Sequence, residues 1–338
     1  MLCGLTTLAI LPCFAAIPSG EKPTMKAVVI HAYGGLEVLK LEDVPQPEPK
    51  EDEILIRVIA ASVNPVDAAI RQGYLAQIIG DKLPLIPGMD AAGVVEKTGA
   101  KIGKFKAGDP VYAFFTLASE GGYAQFVVAK ESEAALKPKA LSYAQAAAVP
   151  AAASTAWQAL IETAKLSAGQ TVLIHGGSGG VGHFAIQIAK ARGAKVIATA
   201  SATNQDFLKK LGADQAIDYR KAKFEDVARD VDVVLDTVGE DTLKRSYGVV
   251  KKGGMIVSIV DDPDQATLDA HGIRGASIRS SPKANVLEEL TRLIEAKKIT
   301  PIVSQVLPLS EVAKAHEQIA THHTRGKIVL QVADEPKR

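Results

Sequence analysis

The sequence predicts an α/β protein in two parts. A doubly wound parallel sheet is expected over residues 148–282. A barrel-like β domain is expected over 25–147, and the last segment, 283–338, returns to complete it. Three observations predict this. Apolar runs alternate with helix-period stretches from residue 171 onward. A glycine cluster joins the first of those runs to its helix. Upstream, short β-like runs are broken by Pro45, Pro47, Pro49, Pro84, Pro87, Gly88, Gly108 and Pro110.

In chain order, β-like runs at 25–30, 54–62, 91–97 and 123–129, each bounded by turn residues, suggest the barrel. Alanine-rich helical sequence covers 143–165, interrupted by Pro150. The parallel series follows: strand 172–175, helix 181–192, strand 195–200, helix 204–211, and strands 216–218, 231–236 and 255–260, with Gly253-Gly254 read as a turn. In the first of these helices Val181, Phe184, Ala185, Ile188 and Ala189 recur at helical spacing, which predicts one face against the sheet. Helices at 286–297 and 309–321 and a strand at 327–332 close the chain.

The residues 175–182, HGGSGGVG, carry the chemistry most directly. Gly177, Gly179 and Gly182 fill the three glycine places of G-x-G-x-x-G between a strand and a helix. Such a turn lets backbone N–H groups meet a pyrophosphate at the positive end of the helix, so Ser178, Gly179, Gly180 and Val181 are expected to offer donors or close approach. Sites that take NAD carry an acid about 20 residues further on, for the ribose 2′-hydroxyl. Here residues 198–205, ATASATNQ, hold none, and the first acid is Asp206. The expected cofactor is therefore NADP(H), with Ser201 and Asn204 at the 2′-phosphate and Tyr219 and Arg220 flanking the adenine end. The alternative for Ser201 and Asn204 is a helix N-cap. Gly239 and Ser258, at the ends of later strands, are expected to border the nicotinamide. His175 and His183 are read as packing residues.

Other function classes are disfavoured. A net charge of +1 without a basic block argues against a nucleic-acid surface. The two cysteines, Cys3 and Cys13, leave the body of the chain without a thiolate for a metal or a nucleophile. Residues 1–24 are read two ways. The apolar run 5–14, followed by Ala15 and Ala16, resembles a signal-peptide core, although no Lys or Arg precedes it. Alternatively Met25 is the natural start. The run is too short to span a bilayer, and a reducing cofactor fits the cytoplasm better than an exported location.

Ten ordered motifs then resemble the zinc-free quinone oxidoreductase branch of the medium-chain dehydrogenase/reductase superfamily. They are MKAVVIHAYGG (25–35), VNPVDAAIRQG (63–73), PGMDAAGVV (87–95), AGDPVYAF (107–114), GGYAQF (121–126), AAAVPAAASTAW (146–157), HGGSGGVG (175–182), LGADQAIDY (211–219), DTVGE (236–240) and GKIVL (326–330). The resemblance implies a GroES-like β-barrel catalytic domain beside a Rossmann domain, homodimers, and NADPH-dependent reduction of quinones or activated alkenes such as enones and enals. It implies that Asn64 donates to the acceptor's carbonyl oxygen, that Asp67 orients it or binds the ribose, that Tyr74 gives the proton following hydride transfer, and that Thr155 approaches the nicotinamide ribose. Each has a plainer alternative: Asn64 and Asp67 cap a helix start, Tyr74 is an aromatic lid, and Thr155 is an ordinary helix residue. Arg71 is read as lying on a solvated helix face. Where zinc enzymes of the superfamily carry a His-Glu pair, this chain has Met89-Asp90, so no metal is expected and Asp90 is read as structural. Many relatives carry a lysine where Asn204 stands. A 2-enoyl thioester reductase, or a crystallin-like nucleotide binder with negligible catalysis, remains open.

Overall fold

The computed structural model describes residues 23–80 and 82–336. The two readings of the leader concern residues that lie almost wholly outside them. Six parallel strands form one sheet in the spatial order Gln215–Asp218, Lys195–Ala200, Thr171–Ile174, Val231–Asp236, Val250–Ser258, Arg274–Ser277. In chain order that is 3-2-1-4-5-6. The direction of winding reverses between Thr171–Ile174 and Val231–Asp236, and ligands of such sheets sit beyond the carboxyl ends of those strands. Both strands are buried on both faces, as central parallel strands are. Val250–Ser258 starts earlier than its apolar run suggests. Its Lys251 to Gly254 stretch, with Gly253 at φ 75°, stays in the strand through a register shift against Val231–Asp236. Arg274–Ser277 lacks apolar alternation, and only its pairing with Val250–Ser258 makes it a strand.

The helix Gly182–Ala191 follows the first strand. It buries every residue from Gly182 to Ala189, not one face alone. The sheet covers one side. On the other, Gln187 exchanges hydrogen bonds with both backbone groups of Thr300, and His183 accepts one from the Ile302 N–H at 3.3 Å.

A second, seven-stranded sheet belongs to the β-rich part. Glu53–Val63 is its spine, antiparallel to Lys327–Gln331, Asp90–Thr98 and Phe126–Lys130. Pro110–Phe114 and Ala134–Leu136 extend it on one side, and Val303–Pro308 extends it beyond Lys327–Gln331. With three partners the spine is almost wholly buried, which its run ILIRVIAASV permits. A two-stranded ribbon, Thr24–Val29 with Lys40–Pro45, is pinned on by the Val28 N–H to Tyr123 O bond at 2.8 Å. Among the described residues no helix is long and apolar enough to cross a membrane.

Three imidazoles lie inside this fold. His175 meets Thr199 Oγ1 at 3.2 Å and Ser246 Oγ at 3.0 Å. His183 Nδ1 lies 2.9 Å from Gly179 O, an atom that only accepts, so Nδ1 carries the proton and Nε2 is left to accept from Ile302. His316 stands edge-on to Tyr123 at 5.9 Å, with both ring nitrogens buried and unpartnered. Burial pushes each of the three down to about 4, for His316 with help from the Arg71 charge. Between pH 6.5 and 4 the unfolded chain takes up protons at these positions and the folded one does not. Stability from them is complete above pH 6.5 and is lost as pH falls towards 4. His316→Leu is therefore expected to be near-neutral at pH 8. It should regain about 3 kcal/mol relative to the parent by pH 4, read as a flatter acid limb in urea unfolding.

Candidate active site

The glycine turn lies at the switch point of the parallel sheet, just beyond Ile174. Gly176, one place before the motif, takes the left-handed φ of 67° that starts the turn. Gly182 sits where a Cβ would come 2.2 Å from Gly176 O and 2.8 Å from Gly177 Cα, both backbone atoms that cannot swing aside. The third glycine thus allows the helix to start directly against the strand. Two N–H groups of the turn point inward, Gly177 to Thr199 O and Gly179 to Gly176 O, each at 2.9 Å. Of the two contributions expected of Gly179, a donor or close approach, its N–H is thus already engaged within the turn. The turn is tied to the last strand: Gly326 N–H donates to Ser178 O at 2.8 Å, and the Lys327 stem runs alongside Gly180, where a Cβ would come 3.3 Å from Lys327 Cδ.

Through Lys327 the turn reaches a buried polar cluster. Lys327 Nζ donates to Asn64 Oδ1 at 2.5 Å and to Val63 O at 3.2 Å, and lies 3.6 Å from Asp90 Oδ2. Asn64 Nδ2 donates to the same Asp90 oxygen at 2.8 Å. Asp90 also accepts from Ser62 Oγ at 2.5 Å and from the Ala151 N–H at 2.6 Å. Asn64 is the N-cap of the short helix Pro65–Arg71, and its N–H donates to Asp67 Oδ2 at 2.8 Å. Asp67 accepts further from Tyr123 Oη at 3.0 Å and the Met89 N–H at 3.1 Å. Burial, with the Asp90 charge adding to it, pushes Asp67 up to about 7 against the pull of the Asn64 N–H, the Tyr123 hydroxyl and Lys327. Three donors on its two oxygens suit a carboxylate, and Asp67 has no exposed surface for a ribose. Its contact with Asn64 is to the backbone N–H that starts the helix. Arg71 corrects the solvated-face reading. It is buried, and its guanidinium donates to Gly34 O at 2.8 Å because the helix end packs under the turn that holds Tyr33 and Gly34.

Other expected site residues are distributed as follows. Ser201 and Asn204 stand together after Lys195–Ala200, the Asn204 amide donating to Ser201 Oγ at 3.1 Å. Tyr219 is half-exposed, with the Arg220 guanidinium over its ring at 5.7 Å. Sequence reasoning missed Arg325. Its Nε donates to Asn204 Oδ1 at 2.7 Å, a second nitrogen donates to Thr203 O at 3.1 Å, and the guanidinium stacks on Phe207 at 5.0 Å. Thr155 donates to Ala151 O at 2.7 Å and meets Ser280 Oγ at 2.6 Å. Ser258 Oγ donates to Asp236 Oδ2 at 2.8 Å, and Gly239, at φ 83°, donates its N–H to Asp236 Oδ1 at 3.0 Å. Tyr74 is not brought into the cluster: its ring is 77% exposed.

A reversing parallel sheet, a glycine turn at its switch point and a β domain closed by the chain's last strand define the alcohol dehydrogenase-like class of nucleotide-binding proteins. Residues 50–139 match the alcohol dehydrogenase GroES-like domain, and residues 211–330 match the zinc-binding dehydrogenase domain. The chain is 41% identical over 317 residues to the chloroplastic NADPH-dependent alkenal/one oxidoreductase of Arabidopsis thaliana, covering 90% of this chain and 79% of that one. It is 34% identical to the quinone oxidoreductase of Sus scrofa, covering 91% and 97%. The structure of a quinone oxidoreductase from Coxiella burnetii superposes with a TM-score of 0.86 at 36% identity, covering 92% of this chain and 100% of that one. The protein belongs to the quinone oxidoreductase branch of the medium-chain dehydrogenase/reductase superfamily.

The zinc that one of these domain descriptions implies does not suit the residues present. Among the described residues no group of three or more His, Cys, Asp or Glu could hold a metal ion, and the cluster offers an amide, an ammonium and two carboxylates, Asp67 and Asp90, both already engaged by donors. A dinucleotide does suit them, since the turn leaves its strand end open to close backbone approach. Gly182→Ala is expected to force strand and helix apart. It should cost about 2 kcal/mol or more in denaturant unfolding and abolish nucleotide binding in a calorimeter.

Proposed function

We propose that the protein is an NADP(H)-dependent reductase that transfers hydride to quinones or activated alkenes without a metal. The observation that carries this reading is the line from Gly180 through the Lys327 side chain to Asn64, which sets a pyrophosphate turn one side chain away from a polar amide. The names of the relatives, an alkenal/one oxidoreductase and a quinone oxidoreductase, support the substrate class. A mycobacterial relative at TM-score 0.82 was solved in complex with NADPH, which supports the cofactor.

In this reading, bound NADPH supplies the hydride. The N–H groups of Ser178, Gly180 and Val181 hold the pyrophosphate at the start of Gly182–Ala191. Asn64 Nδ2 has one N–H left after Asp90, and it donates to the acceptor oxygen as negative charge builds there. Thr155, Gly239 and Ser258 border the nicotinamide half. Acceptor choice falls to two segments that meet in one concavity, where Ile79 and Leu85 face Leu117 and Gly121. Tyr74 stands outside the cluster, so a proton donor at that position requires the segment to close over the acceptor. A homodimer in the cytoplasm is the expectation that accompanies this reading, tested by sedimentation and by fractionation.

At the expected ribose end, Arg325 supplies a cation, with Ser201 and Asn204 beside it. A guanidinium suits a phosphate because its planar fork donates two parallel bonds. Arg325→Ala is expected to weaken NADPH binding by about 10- to 100-fold, the worth of one charge-assisted contact, and to leave NADH binding unchanged. Calorimetry with both nucleotides reads the difference. The activity itself is tested by following NADPH oxidation with quinones, enals, enones and enoyl thioesters. Turnover of quinones or enones is the expected outcome. Thioester turnover alone would make the protein an enoyl thioester reductase, and none at all would leave a nucleotide-binding role.

A further inference from the structure

Lys327 is a lysine only 3% exposed, at the first residue of the last strand. Lysines are almost never buried unless paired, because an ammonium loses several kcal/mol of hydration. A charge pair such as Lys327 with Asp90 is no substitute for a well-packed apolar pair as a source of stability. Its placement therefore calls for another explanation, and the amide between the two charges supplies it. Asn64 directs Oδ1 at the ammonium and Nδ2 at the carboxylate. Turned over, the amide would set a donor against the ammonium and an acceptor against Asp90, losing two charge-assisted bonds at once. The cation on one side and the anion on the other permit a single orientation. In that orientation one Nδ2 hydrogen is spent on Asp90 and the other is left over. The cation at Oδ1 also draws charge from the amide, which makes the remaining N–H a better donor.

We propose that Lys327 is a positioning residue: it latches the Asn64 amide, through Oδ1, in the one orientation that leaves an Nδ2 hydrogen for the acceptor oxygen. This rests on the reading of Asn64 as that donor. The stem of Lys327 lies on Gly180, so the residue that fixes the amide also touches the nucleotide turn. The two are thereby set at a constant separation. Lys327 makes no contact with the acceptor in this scheme. Its effect passes through Asn64, and removal of Asn64 removes it.

The test is a double-mutant cycle on the full chain, with kcat and KM measured for one quinone or enone at saturating NADPH and with NADPH affinity measured by calorimetry. Lys327→Met and Asn64→Ala are each expected to lower kcat by about 10- to 100-fold, with NADPH affinity within about twofold of the parent. The double variant is expected to be no slower than Asn64→Ala alone. Losses that multiply in the double variant would overturn the latch while leaving Asn64 as the donor, as would an effect confined to NADPH affinity. Parental kcat in Asn64→Ala would overturn both the donor and the latch. Should Lys327→Met fail to fold because Asp90 is left as a lone buried charge, the same cycle run in an Asp90→Asn background, where Lys327→Met leaves neither member of the pair charged, gives the same two outcomes.

Discussion

One anion holds the site together. The Asp90 carboxylate has no exposed surface and gathers Ser62, Asn64 and the Ala151 N–H, with Lys327 at its edge. These groups come from the spine of the β domain, the cap of a short helix, the helix Pro150–Trp157 and the last strand. A buried carboxylate is tolerable only when its lone pairs are filled, so each of these segments is constrained by the others' donors. The nucleotide turn joins the same arrangement through Gly326 and Lys327. The geometry between turn and amide is thus a property of the whole tertiary fold.

Much of this was legible in the sequence. The parallel strands buried on both faces announced themselves as apolar runs, and the glycine turn lay between strand and helix as its spacing predicts. Asn64 and Asp67 were singled out by motif, and they meet in the cluster, although Asp67 turns out to be fully enclosed. What was not legible depends on distance along the chain. Lys327 lies 263 residues from Asn64, and Arg325 lies 121 from Asn204. Neither periodicity nor local motif links such pairs. Arg71 was misread for a related reason: a charged residue near a helix end looks solvated until the turn that covers it, more than 30 residues earlier, is in place. Arg274–Ser277 and Val303–Pro308 carry no clear alternation of apolar and polar residue types, although the second alternates in burial once paired, so only their neighbours define them as strands.

In the proposed reading, the ribose end shows how a neutral side chain can hold a charge in place. An asparagine at 204 cannot itself neutralise a phosphate, but its amide oxygen can anchor a guanidinium. Arg325 reaches it from the segment that precedes the last strand and is flattened on Phe207. Stacking and two hydrogen bonds spare a long side chain the entropy of searching, which favours a fixed charge over a mobile one.

The bond between Gly326 and Ser178 has a bearing on how the protein comes into being. A ribosome delivers the glycine turn about 150 residues before the segment that braces it. Until residues 325–327 emerge, the turn has its strand and its helix but lacks Arg325, Lys327 and the Gly326 N–H that donates to its Ser178 carbonyl. A nascent chain can therefore form the parallel sheet early and still have no complete place for a dinucleotide. Cofactor capture waits for this later segment to settle beside the spine.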